Sequence, residues 1–211
     1  MGLWKIPRIW EGETVFVIGG GPSVSDLDLT PIHNRCVVGV NTAYQLGTWI
    51  DILFWGDKKW WRWHHEKLAN WPNLIVTNCP EKKINLPEHR VLRVSRRASG
   101  WSSKPNTVAW NSNSGYSAIN LAALLGAKTI VLIGFDMTSK DKRYHWHKEH
   151  PAPEKLKTSD SDFKRFLRQT DNVVKGAEKD GVKLLNASPI SKIPEDKIER
   201  INLQEFLEND G

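Results

Sequence analysis

The apolar positions of this chain gather into short continuous runs instead of alternating with polar ones. Seven such runs lie at Thr14–Ile18, Cys36–Val40, Ile52–Trp55, Leu74–Thr77, Arg90–Val94, Thr129–Ile133 and Val182–Leu185. A strand that reads apolar throughout is covered on both faces, the condition of a parallel sheet. Between these runs, Lys58–Ala69, Ser114–Leu125, Asp160–Lys179 and Ile201–Glu208 read as helices, with Gly126 a natural stop for the second and Asp180-Gly181 for the third. Strands and helices in alternation predict βαβ units. The expected fold is therefore α/β, a Rossmann-like mostly parallel sheet with helices on both faces. A chain of 211 residues suits one such domain, 1–211.

Two segments break the rhythm. Arg96–Asn113 is rich in Ser, Asn and Trp without a period, and Met137–Lys157 is polar, carries His145, His147 and His150, and contains Pro151 and Pro153. Long aperiodic loops in a compact domain are usually functional. Both are expected as flaps over a cleft.

Composition changes this picture in three places. There are 11 Trp against 3 Tyr and 6 Phe, and a buried Trp needs a partner for its indole N–H. The net charge of +6 favours anionic partners, but the Lys and Arg are spread along the chain as solvated faces are. Cys36 and Cys79 provide neither a disulfide framework nor a zinc motif. No signal-peptide core opens the chain and no apolar run approaches the ~20 residues of a membrane span, so a cytoplasmic protein with no membrane partner is expected.

The candidate chemistry sits where strands end. Val15–Ile18 runs into Gly19-Gly20-Gly21-Pro22-Ser23. Glycine lets a backbone approach a phosphate, Pro22 suits a helical first turn, and a helix start there would offer N–H groups to an anion. The plainer alternative is a tight strand-to-helix turn. The dinucleotide fingerprint is incomplete, so NAD is not implied. Asn41 follows the second strand, as a contact to a base or ribose or as a helix cap. Asp57 follows the third, before Trp60, Trp61, Trp63, His64 and His65; it would cap a helix, touch a ribose or help hold a metal. The three Trp cannot share one helix face, so they divide between core and cleft or solvent. Asn113-Ser114-Gly115-Tyr116 opens the small-residue helix and suits either capping or anion contact. Gly134-Phe135-Asp136 ends the strand that follows it. In the second flap, His145-Trp146-His147 would place two imidazoles on one side of an extended backbone, as a general base, a metal pair or a solvated loop.

In this order, Gly-Gly-Gly-Pro-Ser, Asn41, Asn113-Ser114-Gly115-Tyr116, Gly134-Phe135-Asp136 and Asn186-Ala187-Ser188-Pro189 resemble the Rossmann-like bacterial CMP-sialic-acid-dependent sialyltransferases. The likeness extends to the Maf-type flagellin glycosyltransferases, the archaeal hydroxymethylpterin diphosphokinases and, in flavour, uncharacterised phage-encoded members, for which the location would be the host cytoplasm. It covers about Thr14 to Ser188. It implies that Asn41 contacts the nucleotide, that Ser114 and Gly115 meet its phosphate and base, and that His150, or else His147, is the catalytic base. Gly20 stands where the sialyltransferases carry asparagine, so CMP-sialic acid need not be the donor. Tyr144 is a loose counterpart of the tyrosines at the leaving phosphate, with Lys148 or Arg143 as substitutes.

The expected activity is a nucleotide-sugar-dependent glycosyl transfer from a CMP-linked or other donor to a small-molecule or glycan acceptor. The alternatives are a Mg²⁺-dependent phospho- or diphosphotransferase using Asp57 and Asp136, and a non-catalytic module binding nucleic acid through Trp and positive charge. Homo-oligomerisation is left open.

Overall fold

The computed structural model describes residues 2–80, 91–147 and 158–209. Its main sheet has eight strands: β1 (Thr14–Ile18), β2 (Cys36–Val40), β3 (Ile52–Trp55), β4 (Leu74–Thr77), β5 (Val91–Arg93), β8 (Thr129–Ile133), β9 (Lys183–Asn186) and β10 (Glu199–Arg200). They lie in the order β10-β9-β8-β1-β2-β3-β4-β5, and every pairing is parallel. The chain moves outward from β1 to β5, then returns to the other side of β1 at β8.

Continuous apolar runs are explained by burial on both faces. Along β1, Val15 and Val17 join the cluster on one face and Phe16 and Ile18 the cluster on the other, all with no exposure. Each such side chain contributes about 1.5–3 kcal/mol relative to leaving it in water. The first face is covered by α2 (Ser114–Leu124), of which ten of the eleven residues are buried. A third cluster, built on Trp55, Trp60 and Trp61 with Leu53 and Ile75, lies under β3 and β4.

Several expected elements take a different form. The first helix is α1 (Lys58–His64), and the chain then tightens into a 3-10 turn over His65–Leu68. The stretch 160–179 is two helices, α3 (Asp160–Leu167) and α4 (Thr170–Lys179). The break falls where Thr170, fully buried, meets the Tyr116 hydroxyl at 2.8 Å. α4 buries Val173, Gly176 and Ala177, whereas α3 buries nothing completely. The last helix, α5 (Leu203–Asn209), starts two residues later than expected because Asn202 caps it through Gln204 N at 2.9 Å. Residues 96–113 do not form a flap. They carry most of β6 (Ser95–Arg97) and all of β7 (Thr107–Ala109), a separate parallel pair packed on α2.

Among the described residues no helix is long and apolar enough to cross a membrane.

Candidate active site

All eight parallel strands deliver their C-terminal ends to one edge, and the sheet order reverses between β1 and β8. Ligands of open α/β sheets bind at such a switch point. A cleft of about 650 Å³ occupies it. Gly19–Gly21 after β1, Asn41 after β2, Asp57 after β3 and Gly134–Met137 after β8 form the floor. Trp110 and Ser112–Gly115, leading into α2, form one wall; Tyr144, His145 and His147, with Asp162, Phe163, Arg165 and Phe166 of α3, form the other. The glycine turn and the Ser114-Gly115 helix start thus face one shared groove.

The three glycines have separate causes. A Cβ at Gly19 would stand 2.7 Å from the Gly134 carbonyl oxygen, and one at Gly21 would stand 2.5 Å from Asp136 Oδ2. Those two admit the β8 loop. Only Gly20 looks toward the flap, where a Cβ would meet His145 Nδ1 at 3.2 Å. The turn does not lead into an α-helix: Pro22–Asp26 is a five-residue 3-10 turn. Ser23 is fully buried and does not line the cleft. Its N–H donates to Asp136 Oδ2 at 2.8 Å and its hydroxyl to Oδ1 at 2.5 Å. The anion site expected at this helix start is therefore replaced by an internal carboxylate. Burial pushes the Asp136 carboxyl above its ordinary value, against the two bonds from Ser23.

Asn41 is not a cap. Val40 holds that position for the following 3-10 turn, without a side-chain bond. Asn41 sits at φ 53°, a region open to asparagine at some cost. Its Oδ1 is buried and has no hydrogen-bond partner among the described residues. An orphaned buried acceptor costs about 1–3 kcal/mol, and here it belongs to a side chain lining the cleft.

Two other polar candidates cap helices and also line the cleft. Asp57 Oδ1 caps α1 through Lys59 N at 2.6 Å, and Asn113 Oδ1 caps α2 through Gly115 N at 2.7 Å, yet both residues line the cleft. Gly115 makes room for the Phe135 ring, which a Cβ would approach to 2.7 Å. Trp60 donates to Thr42 Oγ1 at 3.1 Å and reaches the cleft from a buried position; Trp61 stacks on Trp55 at 4.6 Å in the core; Trp63 is half-buried.

The second flap is described through residue 147, and Lys148 and His150 lie outside the described residues. Trp146 anchors it on the glycine turn, its backbone N–H donating to Gly20 O at 3.2 Å and its indole to Gly19 O at 3.3 Å. His145 lies 3.3 Å from the same Gly20 carbonyl through Nδ1 and 2.9 Å from Thr158 Oγ1 through Nε2. A carbonyl only accepts, so Nδ1 carries the proton, and in the neutral ring Nε2 accepts from Thr158. His147 stacks on His145 at 5.0 Å and 9°, so both imidazoles lie on one side as the spacing implies. Tyr144 stacks on Phe163 at 5.8 Å. Arg143 is exposed, stands 4.0 Å from Asp141 and is not among the residues lining the cleft. Among the described residues, the Lys or Arg lining the cleft is Arg165, paired with Asp162 at 2.8 Å.

Sequence reasoning missed Arg165 and Trp110. Arg165 was findable as the cation at the (i, i+3) position from Asp162 on a helix whose apolar stripe holds Phe163 and Phe166. Trp110 directly precedes the Asn-Ser-Asn-Ser-Gly motif.

A doubly covered parallel sheet with a polar cleft at its switch point defines an α/β protein of Rossmann-like architecture. Solved structures that it is similar to include transferases. A Maf glycosyltransferase from Magnetospirillum magneticum AMB-1 superposes with a TM-score of 0.63 over 96% of this chain at 15% identity. This chain spans about a third, 36%, of that protein. The sialyltransferase CstII from Campylobacter jejuni, in complex with cytidine-5'-monophosphate, superposes with a TM-score of 0.55 at 16% identity, covering 89% of this chain and 84% of CstII. CstII with the analogue CMP-3FNeuAc gives 0.51 at 17% identity, over 89% and 86% of the two chains. At these identities the likeness establishes the fold. It does not bear on a pterin diphosphokinase activity or a phage origin. The sequence matches no protein-family model, and no curated protein matches it.

Proposed function

We propose that this chain is a nucleotide-sugar-dependent glycosyltransferase that binds its donor across the switch-point cleft. The observation that carries the reading is Asn41, which lines the cleft at the sheet edge where nucleotides bind and whose buried Oδ1 has no partner among the described residues. A ribose hydroxyl or a base amino group supplies the missing donor. Ser114 and Gly115 contribute from the head of α2, and the phosphate lies over Gly20. The CMP and CMP-3FNeuAc complexes of CstII support a nucleotide-sugar donor for a cleft on this fold.

In the reaction an acceptor hydroxyl attacks the anomeric carbon. The new C–O bond forms as the bond to the nucleotide phosphate breaks, and the hydroxyl proton passes to a flap histidine. That base is His150 by the resemblance and His147 by its position in the cleft lining. His145, bridging Gly20 and Thr158, positions the flap. Arg165 and the Tyr144 hydroxyl stand on the same wall to balance the charge of the leaving phosphate.

Two observations favour this reading over its alternatives. Asp57 and Asp136 spend oxygens on Lys59 N and on Ser23, which weakens them as a Mg²⁺ pair. Trp55, Trp60 and Trp61 are buried, so they offer no open stacking track to a single strand. The test is hydrolysis and transfer with a panel of CMP-, UDP- and GDP-sugars, beside thermal melting with the free nucleotides. Turnover of one donor and a matching melting shift are expected. Absence of both overturns the proposal.

A further inference from the structure

Trp110 is a large aromatic residue of the cleft wall that neither the motifs nor the proposed chemistry uses. Its indole is half-buried in the cleft wall and held from behind. The Arg96 guanidinium carbon stands 3.9 Å from the ring centroid. Arg96 is itself fixed by Gly56 O at 2.5 Å, Asn78 O at 3.0 Å and Asn78 Oδ1 at 2.9 Å. A Cβ on Gly56 would fall 2.3 Å from Trp110 Cζ3, so the turn after β3 is cut away to seat the indole. The backbone is pinned too: Trp110 N–H donates to Arg97 O at 2.8 Å, and Asn113 N–H to Trp110 O at 2.9 Å. Between them Asn111 and Ser112 adopt φ 46° and 57°, and Asn111 is locked to Gly100 by bonds of 2.8 and 2.9 Å. Two consecutive non-glycine residues in the left-handed region are costly, and such strain gathers at ligand sites.

From this geometry we infer that Trp110 is the stacking platform for the donor's nucleobase, which sets the direction of the donor in the cleft. The inference rests on the nucleotide-transferase reading above. Strand order across the floor is β3, β2, β1, β8. The indole lies over the end of β3, roughly 14 Å or three strand spacings from β8. A nucleotide with its base on Trp110 passes its ribose across Asn41 and its phosphate over Gly20, and brings the transferred sugar beneath His145 and His147. A cation on one face and a ligand ring on the other is a favourable setting for an indole. Stacking is tolerant of base identity because every base has a π-face. Trp110 therefore supplies affinity for a base and little choice among bases.

The test is titration calorimetry of wild type, Trp110→Phe and Trp110→Leu with CMP, AMP and ribose 5-phosphate, the last carrying no base. Trp110→Leu is expected to weaken CMP and AMP roughly tenfold or more, to leave ribose 5-phosphate within about twofold, and Trp110→Phe to recover most of the loss. CMP and ribose 5-phosphate weakening together, or CMP binding Trp110→Leu as it binds wild type, overturns the platform and leaves the transferase reading standing. A wild-type protein that binds no nucleotide overturns both. Should Trp110→Leu fail to fold, 5-fluorotryptophan-labelled wild type decides: the ¹⁹F resonance missing from Trp110→Phe must shift with CMP and not with ribose 5-phosphate, and the reverse pattern sinks the idea.

Discussion

Residues 96–113 touch the cleft only through Trp110 and Ser112–Asn113; the rest is tied to the fold by the buried side chain of Asn120 on α2 and by Trp101 against α4. Asn120 of α2 receives Ser102 N at 3.2 Å and Ala109 N at 2.9 Å on its Oδ1 and donates to Ser102 O at 2.9 Å. Trp101 packs on Gly176 of α4, and its indole donates to Asp180 at 2.7 Å. Residues 137–147 lie against the cleft itself and hang on the Gly19 and Gly20 carbonyls, on a hairpin between Lys140 and Arg143 whose central Asp141 and Lys142 have φ of 50° and 62°, and on partly exposed side-chain contacts of Lys140 with Asp26 at 2.8 Å and His145 with Thr158 at 2.9 Å. The first segment is a wall and the second a cover. A segment tied by buried side chains shares the stability of the core, while one tied by a few partly exposed contacts opens at much lower cost.

The contrast breaks most sharply at Asn120. Replacing it with Ala orphans two backbone N–H groups and one carbonyl in a site with no exposure. A loss of about 3 kcal/mol is expected, read as a lower urea midpoint. A loss below about 1 kcal/mol means the segment is not part of the cooperative core.

Matched glycine substitutions come next. In Gly176→Ala the new Cβ meets Trp101 Cγ at 2.3 Å, whereas in Gly20→Ala it meets only the tip of His145 at 3.2 Å. The former should cost about 2 kcal/mol after the gain in helix propensity; the latter should cost under about 1 kcal/mol and increase hydrogen exchange in 138–147. Equal losses would erase the distinction between wall and cover.

These contacts also show what the sequence displayed and what it hid. Two-sided burial leaves its mark in composition, so the seven apolar runs and the small-residue helix before Gly126 were legible in place. β6 was not, because Ser95-Arg96-Arg97 is polar and pairs only through a neighbour that α2 holds. The break before Thr170 depends on a hydroxyl partner 54 positions away. The Gly-Gly-Gly turn was legible as a close approach, but two of its glycines admit the β8 loop, and local sequence does not reveal which backbone comes near. Asn41 was legible because an amide after a parallel strand has few uses other than a cap or a ligand. Trp110 and Arg165 were hidden because their neighbours in the cleft come from distant parts of the chain.

Asn41 sharpens the comparison from the floor between wall and cover. Asn41→Gly removes both a buried unpartnered oxygen and a left-handed asparagine. Stability should stay level or rise by up to about 1 kcal/mol, while nucleotide affinity falls roughly tenfold. A structural residue would do the opposite: melting would drop and affinity, corrected for the folded fraction, would hold.

The smallest effect is at the root of the cover, where Asp136 ties the β8 loop to Ser23. Burial holds this carboxyl above the ordinary 3.8, so between 3.8 and its native value the folded protein binds more proton than the unfolded chain. Stability from this group is therefore greatest below 3.8 and is lost as pH rises through the native value. Asp136→Asn cannot titrate. Plotted against pH, the stability of wild type minus that of Asp136→Asn should fall as pH rises above the ordinary 3.8 and run flat once the native carboxyl has ionised, whatever constant offset the lost Ser23 bond adds. Urea denaturation at half-unit intervals resolves the slope. A difference that climbs with pH would mean that the Ser23 bonds outweigh burial, and that the carboxylate at the head of the flap is stabilised in its charged form.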